Sequence, residues 1–538
     1  MEFARNRKRR IFVILILFLP ILLGILAACD GDAKCQGINI DSCNGNNGGT
    51  PTNVSVPKGI GIVTKPNNEQ VGLSDGTYAF DIGTDRADAS LKTQATAALA
   101  RGDKVGATSL WNRAVGKNGI DTSDAEVLIY LEDQRILASH LPYITLIVGT
   151  MLTGSSSSVG TGRDNLQGAY VAQKEYNDGR KLNGGKLIRL LIANAGSKPE
   201  YLTDVAKLII EAKNSDSSIV GIMGWSFSAY AHKAVDVLAS AHIPMVSATA
   251  SADDLSGISP YFFRVAPPNK SQAIAAAKYS EQQLNAHRVA LFVDPNNPYS
   301  SSLANDFKSR FVDTDKNQIV DTENYTVGEA GRSSLPAHLQ SALNSNPDLI
   351  YFSGYADDLS VLLVNLPTSL PNLQVMGGDA LYELEGYPSS ARAGFTRLHF
   401  TAFAYPDEWS ILGMGSLPPF FSDYATDFNP ADADHSAKPY GFTRADNTVI
   451  LAYDAMSVLL QGCQNVLQSN NTLTPDALRT GLSQITGTKA IQGISGQISF
   501  GSDGDPINKA VVILYVDQDG HIQLPRENVQ GCFQLSAC

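Results

Sequence analysis

From Pro142 onward, short apolar runs alternate with amphipathic stretches, and this rhythm restricts the fold more than any other feature of the 538-residue chain. The predicted strands are Tyr143 to Thr150, Lys186 to Ala193, Ile219 to Met223, Pro244 to Ser247, Arg288 to Val293, Leu349 to Phe352 and Gln374 to Gly377. Strands that alternate with helices form a parallel sheet with helices on both faces, an α/β architecture. The rhythm restarts around Ala266-Pro267-Pro268, so two sheets of similar build are expected rather than one long sheet. Ligands of such folds sit beyond the carboxyl ends of the strands, which directs attention to the loops that follow them.

The first residues carry Arg5, Arg7, Lys8, Arg9 and Arg10, followed by an apolar run from Ile11 to Leu26 that ends at Leu26-Ala27-Ala28-Cys29. That order reads as a signal peptide over residues 1–28. Small residues before a cysteine resemble a lipobox, which implies that Cys29 is acylated and anchors the chain outside the cytoplasm. Residues 29–57 are rich in Gly, Asn, Ser and Thr and read as a flexible tether. Of the six cysteines, lipid on Cys29 leaves an odd number, so at least one thiol is expected to be free. Cys35 with Cys43, and Cys532 with Cys538 or Cys463, are the pairings open to the rest.

Residues 58–141 read as a helical module. Apolar residues recur at helical spacing from Leu91 to Ala138, and Ala107, Trp111 and Ala114 after Gly102-Asp103 resemble part of a tetratricopeptide hairpin. An ordinary helical hairpin packed on the main domain is the other reading, because one repeat cannot bury its own faces. The net charge of −12 becomes more negative once the basic leader is removed, which argues against nucleic acid as a partner. No Gly-x-Ser-x-Gly elbow, His-Glu-x-x-His pair or phosphate-binding Gly-rich loop is present, so no enzymatic activity, cofactor or metal is expected. In the acidic stretch Asp313, Asp315, Asn317, Asp321 and Glu323, Gln318 stands where a calcium loop needs glycine and Asn324 where it needs glutamate. A solvated turn is the expectation there.

Several ordered motifs then carry a family resemblance. They are Gly149-Thr150-Met151-Leu152-Thr153-Gly154, Gly168-Ala169, Ile243-Pro244-Met245-Val246-Ser247, Tyr261-Phe262-Phe263-Arg264-Val265-Ala266-Pro267, Val375-Met376-Gly377-Gly378-Asp379 and Gly496-Gln497-Ile498-Ser499-Phe500 with Asp503-Gly504-Asp505. From about Pro142 to Gln523 the chain resembles the type I periplasmic binding proteins, in particular the leucine/isoleucine/valine-binding group that serves ABC importers. The resemblance implies two α/β lobes, each a doubly wound parallel sheet, joined by three crossing strands and closing on a ligand by a hinge. Residues 142–268 plus 396–490 would form the first lobe, 269–395 plus 491–523 the second, and 524–538 a tail.

The resemblance also implies a site. On the first lobe, the turn Gly224-Trp225-Ser226-Phe227-Ser228 and the next turn, Thr249, Ala250 and Ser251, would hold an amino acid's carboxylate with hydroxyls and helix-terminal amides. On the second lobe, Asp379 would take the ammonium, and Tyr299 and Tyr355 would close over the ligand. Trp225 and Phe227 depart from the small residues usual in that turn, and a bulky ring there either shrinks the pocket or stacks on a larger, flatter ligand. The expected function is therefore capture of a small zwitterionic solute, an amino acid or related amide, for an ABC permease. The alternative is an interaction or sensory lipoprotein on the same fold, such as an activator of cell-wall synthases, in which the cleft would be filled rather than open.

Overall fold

The computed structural model describes residues 57–116, 119–383, 386–428 and 445–535. The leader, the tether, Cys29, Cys35, Cys43 and Cys538 lie outside the described residues. Among those described, no helix is long and apolar enough to cross a membrane.

The first sheet has seven strands: β1 (Gly61–Thr64), β2 (Gln70–Ser74), β3 (Tyr143–Thr150), β4 (Leu187–Asn194), β5 (Ile219–Met223), β6 (Met245–Ser247) and β7 (Phe262–Arg264), in the order β1-β2-β4-β3-β5-β6-β7. From β4 to β7 the pairing is parallel, while β1 and β2 join antiparallel at the β4 edge. Every residue of β4 is buried, as two-sided helix cover requires. Its side chains alternate between faces. Leu190 and Ile192 enter a core with the helices Ser156–Asp178 and Asn447–Gln468, whereas Leu191 and Ala193 enter another with Leu202–Ser215 and Ser228–Leu238.

The second sheet contains β8 (Arg288–Val293), β9 (Gln318–Asn324), β10 (Leu349–Ser353), β11 (Gln374–Gly377) and β12 (Leu398–Ala402). A separate hairpin, β13 (Ile491–Gly493) with β14 (Gly496–Ile498), precedes β15 (Val511–Val516), β16 (Ile522–Gln523) and β17 (Val529–Gln530). The order is β16-β15-β12-β11-β10-β8-β9, with β17 also on β15. The chain thus passes between the sheets after β7, after β12 and before β15. This is the two-lobed, three-crossing type I periplasmic binding fold that the motifs implied.

Three boundaries differ from the sequence reading. Residues 398–402 were expected in the first lobe, yet β12 pairs parallel with β11 in the second sheet, because its five residues are all buried there. The tail from 524 contributes a short strand, since β17 pairs antiparallel with β15. The module at 58–141 is not purely helical, since its two short strands extend the first sheet. Its helices, Ala89–Ala100, Lys104–Val115 and Ala125–Ser139, bury Ala107, Trp111 and Ala114 completely, with the Trp111 ring 5.7 Å from that of Tyr130.

Buried polar contacts fasten this module to the lobe. Arg163 on the helix Ser156–Asp178 makes two bonds of 3.0 Å to the Asp81 carboxylate, which within the module neighbours Lys92, itself 2.7 Å from both Asp124 and Glu126. Burial pulls the Asp81 carboxyl upward, yet Lys92, Arg86 and Arg163 together hold it well below the usual carboxylate range. Asp133 accepts from the Gln173 amide at 3.0 Å and from the Leu190 backbone N–H at 3.1 Å. A chain starting at Leu141 would expose the β4 edge and strand these partners. We expect such a truncation to lower the melting temperature by about 5 °C or more, or to aggregate; an unchanged melting curve by circular dichroism would show that the module is dispensable for folding.

The acidic stretch runs from a turn into β9. Asp321 and Glu323 are on β9, Glu323 pairs with His338 at 2.6 Å, and Asn317 bonds His287 and the Phe311 carbonyl. Among the described residues, no group of acids or histidines in this stretch converges on one point. Cys463 is free and buried, whereas Cys532 is disulfide-bonded, so the pairing of Cys532 with Cys463 is excluded.

Candidate functional site

The first-lobe wall is built behind β5 and β6. Gly149 on β3 leaves room for the Trp225 indole, since a Cβ there would fall 2.7 Å from the ring. The indole is fully buried and donates to the Thr150 carbonyl at 3.2 Å. Trp225 is therefore a core residue that supports the turn from behind, not a ligand wall as expected. Ala250 and Ser251 are likewise buried off the cavity surface, and the Ser251 hydroxyl has no hydrogen-bond partner.

The residues on either side of Trp225 and Ser251 do reach the cavity. Ser226, Phe227, Ser228 and Thr249 line it. Ser226 donates to Asn165 Oδ1 at 2.9 Å, and Thr249 donates to the Ser226 carbonyl at 3.0 Å, which locks the two turns together. Ser228 is the first helical residue, not the cap. That position is held by Phe227, which offers no side-chain cap, so amides of the first turn are left for another acceptor. The Ser228 hydroxyl accepts from the Ala252 N–H at 3.1 Å and keeps its own proton for donation.

Tyr299, Tyr355 and Asp379 form the opposite wall, and all three line the same cavity. Asp379 Oδ1 accepts from Gln272 Nε2 at 2.7 Å and from the Tyr299 hydroxyl at 3.0 Å. Burial pushes the Asp379 carboxyl up to about 6, even though these hydrogen bonds favour its charged form. The Tyr355 ring lies 5.3 Å from Tyr299 and 4.9 Å from Phe227 of the other lobe.

The lobes are closed on each other. Asp357 of the second lobe accepts from the Ser157 hydroxyl at 2.7 Å and the Ser157 N–H at 3.3 Å, at the start of the helix Ser156–Asp178, while Arg332 holds the same carboxylate at 3.0 Å. Thr161 donates to Glu383 at 3.1 Å. The cavity between the lobes is about 30 Å³, room for one or two waters. Phe227 is thus the bulky residue that shrinks the pocket.

Sequence reasoning missed Ser157, Thr161, Ala380, Glu383, Asn447 and Thr448. The serine run after Gly154 was a helix-start signal that could have found Ser157. Asn447 carried no such signal; its Oδ1 accepts from the backbone N–H groups of Phe403 and Ala404, at the second crossing between lobes.

Comparison with known proteins gives the family. The chain is 28% identical over 244 residues to the Leu/Ile/Val-binding protein BraC3 of Rhizobium johnstonii, a match covering 45% of this chain and 63% of that one. It is 27% identical over 217 residues to the leucine-specific-binding protein of Salmonella typhimurium, covering 40% and 56%. The matches therefore span less than two thirds of those relatives' own length. Among solved structures, the leucine-binding protein LivK from Thermotoga maritima superposes with a TM-score of 0.60 at 20% identity, covering 73% of this chain and 100% of that one. LivJ from Streptococcus pneumoniae, in complex with isoleucine, gives 0.58 at 18% identity, covering 72% and 99%. A solute-binding protein from R. palustris in complex with 4-hydroxybenzoate gives 0.58 at 16%, covering 73% and 98%. The relatives are named for binding solutes, not for catalysis. Residues 145–521, which contain all but the N-terminal strands of the first sheet, nearly all of the second and the cleft between them, match the model of the periplasmic binding proteins, and the chain belongs to that family.

Proposed function

We propose that this chain is an extracytoplasmic solute-binding lipoprotein, tethered by lipid on Cys29, that traps a small zwitterionic solute between its lobes and delivers it to an ABC permease. The observation that carries this reading is that Ser226, Ser228 and Thr249 from one lobe and Tyr299, Tyr355 and Asp379 from the other share one cavity. Hydroxyls and helix-start amides suit a carboxylate, and a buried carboxylate suits an ammonium. The relatives' names, for leucine, isoleucine and valine, support an amino acid or related amide and the transport reading over that of a synthase activator.

An amino acid does not fit the closed cavity of about 30 Å³, so Phe227 and Tyr355 must separate for entry. Native mass spectrometry of the full protein, followed by calorimetry with an amino-acid panel, tests the reading directly. One amino acid or amide that binds saturably is the expected result; a clean apo spectrum with no binding across the panel would overturn it.

The reading also fixes a pH dependence. The Asp379 carboxyl, at about 6 in the closed cleft, must be ionised to pair with an ammonium. Affinity for an amino acid should be constant above pH about 7 and fall by up to tenfold per pH unit below about 6, as protonation removes the partner charge. A flat profile between pH 5 and 7 in calorimetry would remove Asp379 from the ammonium site.

A further inference from the structure

The cleft's apolar surface is of one kind. Among the described residues, no leucine, isoleucine, valine or methionine lines it, and Ala380 is its one aliphatic side chain. The rest is an aromatic stack in which Tyr355 lies 4.9 Å from Phe227 and 5.3 Å from Tyr299. Phe227 and Tyr355 meet from opposite lobes. A long side chain between them would hold apart the same lobes that the bonds of Ser157 to Asp357 and Thr161 to Glu383 draw together, so a short one is favoured.

Beside the first-lobe turns and Asp379 lies a further polar wall, built from two helix starts. The helix Ser156–Asp178 contributes Ser157 and Thr161, and the helix Asn447–Gln468, which packs against it, contributes Asn447 and Thr448. Ser157 and Thr161 donate to the closure contacts just named. Asn447 and Thr448 are not so committed. Asn447 Oδ1 accepts from the Phe403 and Ala404 N–H groups, while its Nδ2 donates to no described residue, and the Thr448 hydroxyl bonds to none either. The two residues are only 2% and 8% exposed. Neither polar atom is sealed in protein as the Ser251 hydroxyl is, because both open onto the cavity.

Buried polar groups in native structures nearly always find a partner in protein, water or ligand. An aliphatic side chain entering this wall would displace water and leave both groups unpaired, whereas a hydroxyl or amide would pair them. Sites built to hydrogen-bond a substrate reject the isostere that lacks the polar group far more strongly than an apolar pocket rejects one methylene.

On the reading that the cleft traps a zwitterion, on which this inference rests, we propose that the solute is a small amino acid with a hydroxyl or amide side chain, of the serine, threonine and asparagine kind, received by Asn447 and Thr448. The specificity then departs from the aliphatic amino acids for which the relatives are named.

Calorimetry on the full protein with the standard amino acids tests this through two pairs of similar shape. Threonine should bind at least about tenfold tighter than valine, and asparagine at least about tenfold tighter than leucine. Thr448→Val removes the hydroxyl at nearly constant shape and should narrow the threonine-over-valine ratio at least about threefold, while Thr448→Ser retains a hydroxyl and should keep the ratio. Should Thr448→Val fail to fold by circular dichroism, Thr448→Ala takes its place with the same expectation. Valine or leucine binding as tightly as its polar counterpart overturns the inference and leaves the zwitterion reading standing. So does binding confined to aromatic or charged amino acids, or a ratio that loss of the Thr448 hydroxyl leaves unchanged. Binding of no amino acid at all overturns both.

Discussion

Arg264→Ala should destabilise the protein by about 3–5 kcal/mol, the range for removing one partner of a buried ion pair. Arg264 ends β7 and has no exposed surface. Its guanidinium meets the Asp505 carboxylate at 2.6 and 3.0 Å, the Ala252 carbonyl at 2.7 Å and the Ser256 hydroxyl at 2.8 Å. Asp505 precedes β15, so the pair joins the first and third crossings between lobes. The backbone reinforces it, because the Arg264 N–H donates to the Gly504 carbonyl at 3.2 Å. Deleting the guanidinium leaves a buried carboxylate without its counter-charge, still accepting only from the Ser256 hydroxyl at 2.6 Å among the described side chains, and removes the donor to the Ala252 carbonyl. Arg264→Lys keeps the charge but cannot reproduce the forked geometry, and should fall between wild type and alanine. Because both residues belong to one pair, Arg264→Ala with Asp505→Ala should cost less than the sum of the two. Urea unfolding of wild type and these four variants measures this, and a loss below about 1 kcal/mol for Arg264→Ala would show that the crossings do not depend on the pair.

The hinge pair also shows what sequence can and cannot convey. The strands Tyr143–Thr150, Leu187–Asn194 and Ile219–Met223 were legible because both faces are covered, so their residues form unbroken apolar runs. β9, with the sequence QIVDTEN, sits at a sheet edge and is largely half-exposed, which gave no such run. β7 has three residues and ends in an arginine, so its burial depends on Asp505 some 240 positions later. In the cleft, motif order located both first-lobe turns, but not which side chains face inward. Ser226 and Ser228 line the cavity while Trp225 turns back onto Gly149, and Thr249 lines it while Ser251 does not. Three consecutive residues, Ser226, Phe227 and Ser228, line the cavity, so no strand-like alternation governs this turn and motif order alone does not tell wall from core. Asn447 and Thr448 come from a helix start with no local motif, and only the folded arrangement brings them to the site.

Asp379→Asn should weaken the protein as a binder and strengthen it as a fold. The carboxyl sits at about 6, against 3.8 for an ordinary aspartate, chiefly because burial penalises its charge. A folded-state value raised above the unfolded one means that stability is lost as pH rises through that window, from about 4 to about 6, and stays lost above it. At pH 7 the wild type therefore carries a buried carboxylate that costs about 2–3 kcal/mol. Asparagine is nearly isosteric, still accepts from Gln272 and Tyr299 through its oxygen, and carries no charge. We expect Asp379→Asn to raise unfolding free energy at pH 7 by about that amount, with the gain vanishing below pH 4 as the wild-type carboxyl protonates. Binding should move the other way. A ligand ammonium in the closed cleft would face a neutral amide, and loss of a buried partner charge costs about 2–5 kcal/mol in affinity. Chemical denaturation at pH 4 and 7, together with calorimetry on the ligand found for wild type, separates the two effects. Retained affinity with raised stability would leave Asp379 as a buried acid without a role in recognition. Lost affinity with raised stability is the signature of a site that tolerates an unfavourable charge because its ligand needs it.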